Sequence, residues 1–288
     1  MCRWRFKRTT IMLCLLAVSV SLVGCETNPY TGRKQLVMTS VGQEMQMGAQ
    51  AYNQVKSDPK MRPSQDPREV EPVKRVAARI VEAAKRSKYA EMAKQFQWEV
   101  TVIKDDKTAN AFALPGGKMA VYTGIFPMAK TEAGLAAVMG HEVVHALARH
   151  GAERMSQGQV ANVGLQVVGA AIGLSGGNPM LGQATMAALG AGAQVGVLLP
   201  FSRKHESEAD YVGILLAADA GYDPRESVAL WERMAQVSGG GGPSEFLSTH
   251  PSHDTRIDQL KEWMPEAMAI YQKRTKMPAT PLPEVGGG

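Results

Sequence analysis

His141-Glu142-Val143-Val144-His145 brings two imidazoles and a carboxylate together within five residues. The surrounding segment, from Thr131 to His150, reads as a helix. Residues four apart on a helix share a face, so both imidazoles can converge on one metal ion. Glu142 follows the first His directly and can reach a water on that ion. Two neutral nitrogen ligands, a carboxylate base and room for a water form the minimal set for zinc-assisted hydrolysis. A polar helix face with incidental histidines would carry the same five letters, so the rest of the chain must decide.

Two imidazoles alone hold zinc poorly, and a third ligand is expected downstream. The candidate segment is Ser202-Arg203-Lys204-His205-Glu206-Ser207-Glu208-Ala209-Asp210. Glu206 and Asp210 lie four apart on one helix face. Glu206 would bind the metal while Asp210 accepts the N–H of a ligating His and fixes its ring orientation and tautomer. An exposed acidic helix face is the plainer alternative. His205 is a rival ligand that should point off that face, and Glu208 is expected to be solvated or paired with an Arg. His150 and His253 read as surface residues.

These groups need a scaffold, and the N-terminus says where it works. Arg3, Arg5, Lys7 and Arg8 precede an apolar run from Ile11 to Val23 that ends in Leu22-Val23-Gly24-Cys25. This is a targeting segment to be left out of the fold, too short for a comfortable span. Its end resembles a bacterial lipobox, which would make Cys25 the acylated first residue of the mature chain. Glu26, not Asp, then favours the outer membrane. The chain of 288 residues carries a net charge of +5. Four basic residues and no acidic one precede Cys25, which leaves the mature chain near +1 and gives no support for nucleic-acid binding. Cys2 and Cys14 leave with the signal, so no thiol remains as nucleophile, zinc ligand or disulfide partner.

The mature length suits one compact domain. Turn signals at Asn28-Pro29 and Thr31-Gly32 suggest a lipidated tether over 25–42. A helix follows around Val41–Val55, then a Pro-rich loop over Ser57–Pro72 and an amphipathic helix through Val73, Val76 and Ile80. Trp98–Lys104, Asn110–Leu114 and Lys118–Ile125 carry strand signals, the last two around a Pro115-Gly116-Gly117 turn. The expectation is a mainly helical α+β domain over 43–275, with a small antiparallel sheet beside the helix bearing His141 and His145. The Gly/Ala/Met-rich stretch over 158–199 reads as a close-packed helical pair, with membrane contact or a lid as alternatives. Lys276–Gly288 reads as a disordered tail.

Taken together, His141-Glu142-x-x-His145, Ser202-Arg203-x-x-Glu206-x-Glu208-Ala209-Asp210, Asn110-Ala111-Phe112-Ala113 with Gly116-Gly117, and Thr249-His250-Pro251 followed by Arg256 resemble the gluzincin metallopeptidases of family M48. The resemblance covers roughly residues 70–265. Within the family the lipobox points to LoiP-type periplasmic lipoproteins. It implies a zincin-like fold and one Zn2+ per chain on His141, His145 and Glu206, with Glu142 as catalytic base and Asp210 supporting a ligand. It also implies that His250 approaches the metal, either to restrain activity or to support the transition state. Arg256 would donate to an oxyanion or simply hold the loop. The implied activity is endopeptidase action on unfolded or misassembled envelope proteins, laid along Asn110–Leu114 or Lys118–Thr123 by main-chain hydrogen bonds. A chaperone-like factor working with outer-membrane assembly machinery, its proteolysis restrained, is the alternative.

Overall fold

A computed structural model describes residues 24–161, 201–238, 245–250 and 255–285. The segment before Cys25, up to residue 23, lies outside the described residues, as do His253 and all of the 158–199 stretch beyond residue 161. The chain divides into two compact units, one of residues 1–40 with 152–197 and one of 41–151 with 198–288. Among the described residues no helix is long and apolar enough to cross a membrane.

In the first unit, β1 (Cys25–Thr27) pairs antiparallel with β2 (Lys34–Leu36). The Asn28 side chain accepts from the amides of Tyr30 and Thr31 at 2.9 and 3.2 Å and closes the turn. Arg33 forms a two-pronged ion pair with Glu153 at 2.8 and 2.9 Å, and Gln35 donates to the same carboxylate at 3.2 Å. The Met38 amide donates to Ser156 Oγ at 2.9 Å. The expected tether is therefore corrected: residues 25–38 are an ordered hairpin fastened to the helical run over 152–161. Composition alone does not reveal such a partner, because Glu153 lies 120 residues from Arg33.

The second unit is mainly helical. It begins with α1 (Val41–Ser57), α2 (Pro67–Ala84) and α3 (Ala90–Gln95). Asp66 caps α2 by accepting from the Arg68 amide, Pro67 fits the first turn, and Val73, Val76, Ile80 and Val81 turn inward. The sheet follows as β3 (Glu99–Ile103), β4 (Ala111–Leu114) and β5 (Lys118–Tyr122), in the order β3-β5-β4. β4 and β5 make the expected antiparallel hairpin, but β3 joins β5 in parallel, so the sheet is mixed. β5 is thus the central strand and β4 an edge.

Beyond a short turn of helix, α4 (Phe126–Ala129), comes α5 (Glu132–Leu147), and later α6 (Arg203–Asp219), α7 (Arg225–Ser238), α8 (Glu245–Thr249) and α9 (Arg256–Tyr271). Thr131 caps α5 by accepting from Gly134 N, and every residue of α5 is buried. A helix apolar all round belongs in the centre of a domain, and α5 occupies it. α6 starts at a Ser202 cap and is buried almost throughout. The two helices cross closely because two glycines meet there: a Cβ on Gly140 would lie 2.8 Å from Gly213 O.

The tail expectation is also corrected. The Met277 amide donates to Gly221 O at 2.8 Å, Glu132 N to Thr280 O at 2.9 Å and Leu282 N to Lys130 O at 2.8 Å. Pro281 bridges Thr131 and Leu282 is buried. The segment 277–282 therefore braces the start of α5. Its Pro-rich composition lowers the entropy lost on ordering an extended strand, which offsets its lack of helix or strand pattern.

Candidate metal centre

α5 presents His141 and His145 on one face, α6 supplies Glu206 from its first turn, and the end of α8 delivers His250. One ligand atom from each lies within 4.8 Å of all the others, and all four residues are buried. His141 Nε2 is 3.0 Å from His145 Nε2 and 3.2 Å from His250 Nδ1. Glu206 Oε1 stands 3.1 Å from His250 Nδ1 and 3.4 Å from His145 Nε2, while Oε2 is 3.4 Å from His141 Nε2.

These spacings test whether a metal fits. A tetrahedral ion with bonds of about 2.0–2.1 Å separates its ligand atoms by roughly 3.3 Å, close to the distances here. Nitrogen and carboxylate donors also suit zinc. Glu142 Oε1 is buried with no aligned hydrogen-bond donor, a costly state for a carboxylate unless a cation faces it. The residues present therefore fit one metal ion.

The electrostatics agree. Burial opposes charge on His141, but the Glu206 and Asp210 carboxylates outweigh it and raise its pKa to about 9. Burial opposes ionisation of Glu206 too, yet His141, with hydrogen bonds from His141, His145 and His250, drives its pKa far below the usual carboxylate range. The cluster thus draws positive charge to its centre. Burial holds His145 well below its ordinary value despite the Glu206 contact. Burial pushes the Glu142 carboxyl up, partly countered by His250 and His141.

Glu142 sits beside the cluster, 3.4 Å from His250 Nε2, and takes a hydrogen bond from the Ala113 backbone N–H on β4. Asp210, one turn after Glu206, is 2.9 Å from His141 Nδ1. Arg256 is fully buried behind it, with Nη2 at 2.7 Å from Asp210 Oδ1, Nη1 at 3.0 Å from Glu206 Oε2 and its plane 3.3 Å over the Trp231 ring. A guanidinium engaged by two carboxylates has the contacts of a group that positions its neighbours. His250 is fixed by its amide donating to Phe246 O at 2.8 Å and by stacking on Phe246 and Phe201 at 4.6 and 5.3 Å.

Sequence reasoning missed the far side of the cluster. His150 is fully buried, with Nδ1 3.0 Å from His145 Nδ1 and Nε2 3.1 Å from Glu208 Oε2. His205 stacks on it at 4.5 Å and 20°. So His150 is not a surface residue, Glu208 is buried rather than solvated and bonds His150, and His205 serves as ring support. On a continuous helix His145 and His150 would diverge, being five apart. Here α5 stops at Leu147 and Arg149 takes a φ of 58°. A left-handed non-Gly residue costs about 1–2 kcal/mol, and buried Glu44 holds it with contacts of 2.5 and 3.1 Å. The available signal was α6 itself: Val212, Ile214, Leu215 and Leu216 make most of it a buried helix, so burial of acids in its first turns was the reading to weigh.

Residues 67–264 match peptidase family M48. The chain is 40% identical over 242 residues to the mitochondrial metalloendopeptidase OMA1 of Schizosaccharomyces pombe, covering 83% of this chain and 66% of that protein. It is 32% identical over 269 residues to the human mitochondrial metalloendopeptidase OMA1, covering 90% and 49%. It is 28% identical over 262 residues to the beta-barrel assembly-enhancing protease of Escherichia coli K12, covering 88% and 51%. The chain thus spans about half to two thirds of the length of these relatives.

Proposed function

Because the chain belongs to peptidase family M48, we propose that it is a zinc endopeptidase whose resting form is restrained by His250. The observation that carries this reading is the convergence of His141, His145 and Glu206 on one point with Glu142 beside it. Zinc held there would supply a Lewis acid for the scissile carbonyl and for water. Glu142 takes the water proton and passes it to the leaving amine. Its burial, which raises its pKa, suits a group that must hold a proton between those steps. A purely structural ion would have no use for that carboxylate.

The peptide would add along the outer edge of β4. Tyr122 N bonds Asn110 O, so by alternation the amides of Ala111 and Ala113 point outward, where they donate to Asn110 Oδ1 at 2.8 Å and to Glu142, contacts that an added strand would replace. Central β5 has no free edge, so the Lys118–Thr123 alternative is dropped. Recognition through backbone supports action on unfolded chains with little side-chain selection.

Catalytic zinc keeps one position open, whereas four protein ligands close a site. His250 Nδ1 stands where a fourth ligand would, which supports restraint over transition-state help. The same closure favours the second reading, a chaperone-like factor of outer-membrane assembly. The export segment and the lipobox at exposed Cys25 support a lipid-anchored place in the bacterial envelope facing the periplasm, with misassembled envelope proteins as substrates. The LoiP-type comparison rests on that lipobox alone.

Casein digestion with zinc analysis tests the reading. Glu142→Gln should lose about 10²–10⁴ in rate while retaining zinc, and His250→Ala should cut faster than wild type. Absence of zinc-dependent cleavage by both wild type and His250→Ala would sink the enzyme reading. Collapse on His250→Ala would replace restraint with transition-state support.

A further inference from the structure

We propose that His150 and Glu208 are positioning residues that set the tautomer and aim of His145, an inference that rests on reading His145 as a metal ligand. His145 Nε2 faces the cluster, 3.0 Å from His141 Nε2 and 3.4 Å from Glu206 Oε1. A ligating nitrogen must present its lone pair, so the ring proton sits on Nδ1. That N–H points at His150 Nδ1, 3.0 Å away, which must then be an acceptor. The proton of His150 is thereby fixed on Nε2, which donates to Glu208 Oε2 at 3.1 Å. Each link leaves one tautomer for the next.

The fold builds this chain at some expense. Arg149 leaves helical geometry, with φ 58°, and thereby swings His150 back over His145. Glu44 pins Arg149 in that conformation. The His205 ring, 20° from parallel, fixes the plane of His150. His150 is fully buried and Glu208 is nearly so, so the carboxylate acts on His145 through one imidazole with little screening. Such supports behind metal-binding imidazoles raise ligand basicity.

The test compares the purified full-length protein with His150→Phe, His150→Gln and Glu208→Gln. Three quantities are read: zinc transfer to a chromogenic chelator, kcat and KM at saturating zinc, and the thermal midpoint of the chelator-treated protein. His150→Phe should weaken zinc binding about 10–100-fold and lower kcat with KM unchanged. His150→Gln should recover most of the loss, because its amide oxygen accepts from His145 while its amide nitrogen donates to Glu208. If His150→Phe does not fold, Glu208→Gln, which keeps the shape and removes the charge, should still release zinc faster than wild type.

Zinc held by Glu208→Gln as tightly as by wild type overturns the inference. So does a His150→Gln variant no better than His150→Phe with the chelator-treated midpoint unchanged. Failure of wild type to take up zinc would remove the metal reading as well. Normal zinc uptake and cleavage with unaffected variants would remove only the relay.

Discussion

His141 and His145 stand one helical turn apart and aim the same ring nitrogen at the same point, yet the groups behind them differ in kind. Behind His141 lies an ionic knot: Asp210 on its Nδ1 at 2.9 Å, with Arg256 bound to Asp210 and Glu206 and resting on Trp231. Behind His145 lies an imidazole, His150, and only then a carboxylate. The first support closes when α5, α6, α7 and α9 all meet. The second closes where the end of α5 meets the first turns of α6, across a backbone break that Glu44 of α1 holds. One support is therefore an ionic knot drawn from four helices and the other a hydrogen-bonded chain that depends on one strained backbone position.

The largest effect expected from this difference is on folding. Arg256→Met would keep the volume and leave Asp210 and Glu206 buried without their cation. Removing one partner of such a pair costs about 3–5 kcal/mol. At about 2–4 °C per kcal/mol for a domain of this size, thermal unfolding should fall on the order of 10 °C. Loss of the His145 support should cost less, because His150→Phe removes one hydrogen bond from the Glu208 carboxylate, whereas Arg256→Met removes the cation that two carboxylates share. A smaller fall for Arg256→Met than for His150→Phe in calorimetry would reverse the comparison.

The same contrast explains what could be read from sequence. Asp210 was legible because it lies four residues after Glu206, and that spacing holds on any helix. Glu142 followed from its place directly after His141, and Glu206 from its spacing to Asp210 together with the family resemblance. His150 was hidden because periodicity assumes an unbroken helix, and neither Ala148 nor Arg149 announces a break as Gly or Pro would. The cause is a buried partner, Glu44, more than a hundred residues upstream. The brace of the tail on α5 and the Arg33–Glu153 clamp were hidden for the same reason: each is a pairing between distant residues whose local composition reads as loop. The α+β class, the hairpin at Gly116-Gly117 and the central apolar helix were legible, being local patterns.

A second prediction addresses the crossing that lets one helix serve both ligands. A Cβ on Gly140 would meet Gly213 O at 2.8 Å, and one on Gly213 would meet His141 N at 3.0 Å. Both obstacles are backbone, so the helices must separate. Gly140→Ala should destabilise by about 1–3 kcal/mol, the usual range for overpacking, and weaken zinc binding by moving Glu206 and Asp210 away from His141. The relay to His145 crosses the same gap farther along, through longer side chains, and should give more easily. Unchanged zinc affinity with a lowered thermal midpoint would show that the crossing serves stability alone.

The smallest effect separates the two imidazoles by their protons. In chelator-treated protein His141 titrates at about 9 against an ordinary 6.5, because Glu206 and Asp210 outweigh its burial. The folded state then holds a proton that the unfolded chain releases, so this stabilisation is complete below about pH 6.5 and is lost as pH rises through 9. His145 is shifted the other way by burial. The unfolded chain gains its proton first, so stability from His145 is lost as pH falls below 6.5. Glu142, whose pKa is raised by burial, slopes in the same direction as His141, so difference curves are needed. Denaturant titrations from pH 5 to 9 on wild type, His141→Asn and His145→Asn should show an alkaline limb that disappears only in the first variant and an acid limb that disappears only in the second. Zinc-loaded protein should lack the alkaline limb, because metal binding requires both rings neutral and strengthens as protons leave. Identical difference curves for the two variants would mean that the supports behind the two ligands are electrically equivalent, whatever their geometry.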